Sequence, residues 1–211
     1  WDGDLKFIVA PKSTVDFNLM IRIPGWARGE AIGSDLYSFE NSDVQRVVIK
    51  LNGQPVQYEM QDGYAVIKKK WKKNDVVEVN LPMEVKRIKA NEKLIDDIGK
   101  VALQRGPFIY CVESVDNGGR AANIIVPSNA SFTTRYEPQL LNGLTVLQSD
   151  LPVIAIDDKG QSISTKISTV TAIPYYAWAN RGKGEMMIWL PEQVKDVDIV
   201  TKGSEENSTS K

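Results

Sequence analysis

Histidine is absent from the 211 residues, and cysteine occurs once, as Cys111. Without histidine the chain lacks the commonest general base, the usual partner of a serine or cysteine nucleophile, and the favoured zinc ligand. One cysteine can close no internal disulfide and cannot build a zinc site alone. Inside the apolar run Phe108 to Val112, Cys111 reads as a small buried hydrophobe without reactivity. An excess of one charge is also missing: 26 basic and 27 acidic residues leave a net −1, so no field draws nucleic acid or an anionic membrane surface. Apolar runs such as Val101 to Leu103 and Val153 to Ile156 are far shorter than the roughly 20 residues of a membrane helix. The chain opens on Trp1-Asp2-Gly3 with neither methionine nor a basic-then-apolar leader, which predicts an excised or processed piece lacking an N-terminal region.

What is present is a period of two. Val15, Phe17, Leu19, Ile21 and Ile23 alternate with Asp16, Asn18, Met20 and Arg22, the pattern of a strand with one buried face, and Pro24-Gly25 ends it. Leu5, Phe7 and Val9 alternate likewise, and Val47, Ile49 and Leu51 run into Asn52-Gly53, a strong two-residue hairpin signal. Tyr64 to Trp71 and Val76 to Leu81 flank the polar turn Lys72-Lys73-Asn74-Asp75, predicting a further hairpin. Residues 28–43 break the rhythm and read as a surface excursion.

Beyond Lys93 a second set of strands is predicted at Lys100 to Leu103, Phe108 to Val112, Ile124 to Val126, Leu144 to Leu147, Val153 to Ile156 and Ile163 to Ile173. A final pair is expected at Tyr175 to Trp178 and Met186 to Leu190. No window sustains helical spacing over a dozen positions. The fold class is therefore all-β, two consecutive antiparallel β-sandwich, jelly-roll-like domains at 1–93 and 94–200, with a disordered C-terminal tail at 201–211.

Carboxylate pairs are the remaining route to hydrolysis, and Asp96-Asp97, Asp157-Asp158 and Glu205-Glu206 are adjacent. On a strand adjacent side chains point to opposite faces, whereas a glycosidase needs two carboxyls converging about 5–9 Å apart. No catalytic, cofactor-binding or metal residue is assigned. Lys68, Lys69, Lys70, Lys72 and Lys73 around Trp71 read as a solvated strand end that discourages edge aggregation. Gly106-Pro107 must bend, bulge or border the sheet, because proline donates no ladder bond. Asn129-Ala130-Ser131 and Asn207-Ser208-Thr209 match the glycosylation pattern, which is common by chance. Five tryptophans and seven tyrosines raise carbohydrate stacking as an alternative to core packing.

Several ordered motifs form a series: Trp1-Asp2-Gly3, Leu19 through Pro24-Gly25-Trp26-Ala27, Leu51-Asn52-Gly53, Gly63-Tyr64 through Trp71 to Asp75, Val101 through Gln104-Arg105-Gly106-Pro107-Phe108 to Glu113, and Ile173-Pro174-Tyr175-Tyr176-Ala177-Trp178-Ala179-Asn180-Arg181-Gly182 leading to Glu185-Met186. From Trp1 to about Leu190 the chain resembles the region after the catalytic barrel in glycoside hydrolase family 127, the β-L-arabinofuranosidase-like family once filed as domain of unknown function 1680. The resemblance implies a helical barrel that carries catalysis with a zinc-bound cysteine nucleophile and nearby glutamates, none of which maps onto this chain. It also implies an exported bacterial protein, periplasmic or extracellular.

On this reading the chain is a non-catalytic accessory region that packs on the missing barrel and aids homodimerisation. Trp26, Trp178, Asn180 and Arg181 are the candidates for barrel contact or a carbohydrate surface, without a cofactor of their own. Two other classes stay open: a carbohydrate-binding module for a plant-type glycan, and a free-standing structural or adhesive β domain.

Overall fold

The alternating segments of the sequence form strands throughout, and no element is an α-helix among the residues that the computed structural model describes, 1–32, 34–41, 46–156 and 163–197. The chain divides into two units, Trp1–Lys86 with Arg105–Pro107, and Arg87–Gln104 with Phe108–Lys211. Asp157-Asp158, Glu205-Glu206, Asn207-Ser208-Thr209 and the predicted tail 201–211 lie outside the described residues.

The first unit holds β1 (Asp4–Val9), β2 (Val15–Arg22), β3 (Tyr37–Phe39), β4 (Val48–Leu51), β5 (Gln54–Pro55), β6 (Glu59–Gln61), β7 (Tyr64–Trp71) and β8 (Asp75–Asn80). Two antiparallel sheets form, in the orders β1-β8-β4-β5 and β2-β7-β6. Their inner faces share one core: Ile21, Ile67 and Trp71 come from one sheet, and Ile49, Val77 and Val79 from the other. That arrangement is a sandwich, in which each strand buries alternate residues. Trp71 is fully buried and still satisfies its polar edge, donating from Nε1 to the Phe17 carbonyl at 2.9 Å.

Asn52 and Gly53 make the expected turn between β4 and β5, both with positive φ (51° and 81°), as a type I′ turn requires. The predicted hairpin at Lys72 to Asp75 is not one. β7 and β8 belong to different sheets, so this turn is a corner of the sandwich. Asp75 fixes it by accepting from the Lys72 amide (2.8 Å), the Asn52 amide group (2.9 Å) and Lys69 Nζ (3.0 Å). Alternation reveals which face of a strand is buried but not which strand lies beside it. Within 28–43 the described residues include the short strand β3, so the excursion is partly ordered by sheet structure.

Continuing along the chain are β9 (Val85–Ala90), β10 (Lys100–Arg105), β11 (Phe108–Glu113), β12 (Thr133–Glu137), β13 (Leu144–Ile156), β14 (Ile163–Pro174), β15 (Met186–Met187) and β16 (Leu190–Pro191). The hydrogen-bonded order is β12-β13-β14-β11-β10-β9, with β15 beside β11 and β16 beside β10. Gly106-Pro107 is the two-residue link from β10 to β11, with Gly106 at φ 56°, so the strand ends at this dipeptide. Residues 144–147 and 153–156 are one strand rather than two, since Leu151 and Pro152 stay in register with Ser168 and Ile167 of β14. Ile124 makes only an isolated bridge to Val153. β12 escapes the pattern because four of its five residues are exposed and offer no apolar alternation. The expected strand at 175–178 is instead a 3-10 turn, Tyr175–Ala177, which begins directly after Pro174. A core of Cys111, Leu144, Val146, Ile173 and Ala177 lies beneath these elements.

Candidate functional site

In the second unit, β11 ends at Glu113 and passes into a 3-10 turn, Ser114–Asp116, while β14 ends at Pro174 and passes into the turn Tyr175–Ala177. The antiparallel pairing of Tyr110 with Pro174 puts the two exits at opposite ends of the paired stretch, and the loop after Ala177 runs back along β11 to Glu113. The loop that follows carries Trp178, Asn180 and Arg181, so three of the four residues singled out from sequence meet here. Trp26 belongs to the first unit, in the 3-10 turn Gly25–Arg28, where it is half-buried against that unit's core.

Arg181 is the hub of the loop. Its Nη1 and Nη2 donate to the two Asp116 carboxylate oxygens at 2.7 and 2.6 Å, and Nη2 also donates to Glu113 Oε2. Hydrogen bonding by Asp116, working against burial, and by Glu113 raises the already high pKa of this guanidinium further. The backbone follows the same clamp: the Ala179 amide donates to Glu113 Oε1 at 3.3 Å, and Ala179 itself adopts φ 65°. Asn180 Nδ2 donates to the Ala177 and Trp178 carbonyls at 3.1 and 3.2 Å, which closes the turn on itself.

A second clamp adjoins the first. Glu185 accepts from the Ala121 and Ala122 amides at 2.9 and 3.3 Å and forms an ion pair with Arg120 at 2.8 Å. Burial opposes its charge, yet those two amides and Arg120 together hold the carboxyl below the usual range. Ser114 and Glu185 also exchange hydrogen bonds, amide to carbonyl at 2.9 Å and amide to Oγ at 3.1 Å. Neither Glu113, Asp116 nor Glu185 stood out in the sequence as a partner, although Glu113 and Glu185 fall inside the ordered motifs. Contacts spanning 63 to 71 positions leave no local signal.

Chemically, this constellation holds a loop. Glycoside hydrolysis needs one protonated acid and one available carboxylate on either side of a bond, whereas Glu113 and Asp116 converge on a single guanidinium. The surface of the loop is aromatic: Tyr175 and Trp178 stack with centroids 5.8 Å apart and planes 12° from parallel, and Tyr176 packs against Phe108 at 5.6 Å. All three loop aromatics are exposed. Cys111 lies two residues before Glu113 on β11, and burial, with Glu113 adding to it, pushes its thiol up to about 12. Zinc does not fit these residues: the one thiol is buried in an apolar core, histidine is absent, and no cluster of three ligand-type side chains exists among the described residues.

Of the other sequence candidates, Asp96 and Asp97 lie in a 3-10 turn, Ile95–Asp97, where burial raises the Asp97 pKa and Lys100 opposes the rise. Lys68 pairs with Glu59 in solvent, and Lys69 turns inward to Asp75, 5.4 Å from the Trp71 ring.

Each unit is an antiparallel β assembly, and the second carries the ion clamps and the aromatic loop. Residues 1–83 match the model described as the GH127 middle domain of β-L-arabinofuranosidase, and residues 85–191 match the glycoside hydrolase family 127 C-terminal domain. The chain belongs to glycoside hydrolase family 127. It is 29% identical to the non-reducing end β-L-arabinofuranosidase of Bifidobacterium longum subsp. longum in an alignment of 205 positions that covers 90% of this chain and 28% of that protein. Among solved structures it is similar to a GH127 β-arabinofuranosidase, with TM-score 0.87, 39% identity and coverage of 94% of this chain and 31% of that one. A GH127 β-L-arabinofuranosidase from Geobacillus stearothermophilus T6 matches with TM-score 0.77 and 37% identity, over 92% of this chain and 29% of that one. The chain thus spans less than a third of the length of these relatives.

Proposed function

We propose that this chain is the non-catalytic accessory β region of a glycoside hydrolase that acts on β-L-arabinofuranosides. It packs on a helical catalytic barrel, and the zinc-bound cysteine nucleophile and the glutamates belong to that barrel. The observation that carries this reading is the match itself: the middle and C-terminal domain models together account for residues 1–83 and 85–191, while relatives with that activity in their names extend over three times the length. The engagement of Glu113, Asp116 and Glu185 in structural clamps supports it. The test compares the full-length product of the reading frame with the 211-residue chain on an aryl β-L-arabinofuranoside. Hydrolysis is expected from the former alone; turnover by the purified chain, or a reading frame without a helical barrel, would refute the proposal.

The exposed aromatics Tyr175, Tyr176 and Trp178 favour a second role in binding sugar, because flat aromatic faces stack on sugar rings. Calorimetric titration of the full-length protein with its barrel active site blocked should then show heat with arabino-oligosaccharides that Trp178→Ala abolishes, and no heat would remove this role.

A further inference from the structure

In the first unit, the turn from β6 to β7 runs through Asp62 and Gly63, both with positive φ (50° and 81°), and two arginines close over it. Arg22 ends β2 and pairs with Tyr64, the first residue of β7. Its neighbours Ile21 and Ile23 are buried, so strand alternation turns Arg22 to the outer face, where its guanidinium lies 5.4 Å from the Tyr64 ring centre. Arg28 arrives from the 3-10 turn Gly25–Arg28, whose Ala27 is buried and which the Glu30 amide closes by donating to the Gly25 carbonyl at 2.9 Å. A β-carbon on Gly63 would sit 3.0 Å from Arg22 Nη1 and 3.3 Å from Arg28 Nη1. The two guanidiniums therefore meet over one backbone position, close enough for a single oxyanion to bridge them with charge-assisted hydrogen bonds of about 2.8 Å at either end.

Two like charges so placed repel, and the protein does little to neutralise them. Arg22 makes one hydrogen bond, from Nη1 to the Asp62 carbonyl at 3.4 Å, near the limit of what counts as a bond. Arg28 donates from Nη2 to Glu30 Oε2 at 3.0 Å, and its Nε is buried without an acceptor. Among the described residues Glu30 is the one acid paired with either arginine; the Asp62 carboxylate, at the exposed tip of the turn, pairs with neither. Each guanidinium carries five N–H donors, so most of them are uncommitted. Arg181 in the second unit is the contrast, with two carboxylates to itself. An arginine whose donors are spent holds structure, whereas two with open donors converging on one point are the arrangement that receives an oxyanion.

We propose that Arg22 and Arg28, facing each other over Gly63, form an oxyanion site that holds the carboxylate of an acidic sugar. The guanidinium fork matches a carboxylate, and the half-buried Tyr64 ring beside the pair supplies apolar contact for the sugar body. A sugar acid, rather than another carboxylate, follows from membership of a glycoside hydrolase family. The site lies in the first unit and requires neither the aromatic loop nor the proposed accessory role.

The test titrates the full-length protein with sodium glucuronate by isothermal calorimetry at low ionic strength, with methyl glucoside and inorganic phosphate as separate arms. Saturable binding of glucuronate is expected, and none of the neutral sugar. Arg22→Gln and Arg28→Gln should each weaken binding at least about tenfold, the effect of losing one charge-assisted hydrogen bond. Arg46→Gln, which removes an exposed arginine lying 4.9 Å from the Tyr58 ring in the same unit, should leave binding unchanged. Arg22 is exposed, so Arg22→Gln is the decisive variant, and unaltered hydrogen exchange of β7 amides verifies its fold. No binding of glucuronate, or binding equal in the wild type and Arg22→Gln, overturns the proposal. Phosphate held through both arginines without competition from glucuronate overturns the sugar ligand.

Discussion

Replacing Arg181 with alanine removes the hub of a three-residue ion cluster in the second unit. Side chains of Arg181 and Glu113 are only 16% and 8% exposed, and Asp116 is 19% exposed, so removal of the guanidinium strands two carboxylates in a poorly solvated loop. Breaking a buried pair from one side costs about 3–5 kcal/mol, because the partner charge is left uncompensated. With a urea m-value of about 2 kcal/mol per M, the second unit's midpoint should fall by roughly 1.5–2.5 M. Tryptophans occur in both units, so the readout is hydrogen exchange of β14 amides against urea rather than total fluorescence. Arg181→Lys should fall between the two, since lysine keeps the charge but loses the fork that reaches Asp116 and Glu113 at once. Adding Glu113→Gln to Arg181→Ala should recover part of the loss by neutralising the more buried carboxylate. A loss below about 1 kcal/mol, the worth of an exposed pair, would refute the reasoning.

Asp75, held at about 2 against an ordinary 3.8 by Asn52, the Lys72 amide and Lys69, stabilises the first unit fully above its unfolded pKa, and that stability drains away as pH falls from about 4 toward 2. An NMR titration of its carboxyl should show the low midpoint, and Asp75→Asn should flatten the acid slope; a midpoint near 3.8 would contradict the corner geometry. Cys111 should resist a thiol reagent at pH 8 in the native protein and react only on unfolding, so stoichiometric native labelling would argue against its burial. Trp71→Ala should cost about 3–5 kcal/mol in urea unfolding of the first unit, through lost burial and an unpaired Phe17 carbonyl.

Local chemistry made much of the architecture legible. Period-two alternation at 15–23 and 47–51, with Asn52-Gly53 between strands, announced an all-β antiparallel fold, because pleating forces alternate side chains to opposite faces whatever their partners. Ordered motifs around Trp26, Gly106-Pro107 and Asn180-Arg181 carried the family resemblance. Partnership was another matter. The turn Lys72 to Asp75 reads like a hairpin, yet Asp75 gathers Asn52, Lys69 and Lys72 and sends the chain into the other sheet.

In the site, the sequence marked Trp178, Asn180 and Arg181 but could not pair Arg181 with Glu113 and Asp116, 65 to 68 residues earlier. Nor could it show that Leu5, Phe7, Val15 and Phe17 stay partly exposed, since their alternation is that of a strand buried on one face. By itself, then, the sequence determined strand character, the missing histidine and disulfide, and the kinship of the chain. Tertiary structure decided which strands are neighbours, which carboxylates are spent in clamps and how deeply each apolar residue is buried, because those depend on contacts between distant positions that no local pattern encodes.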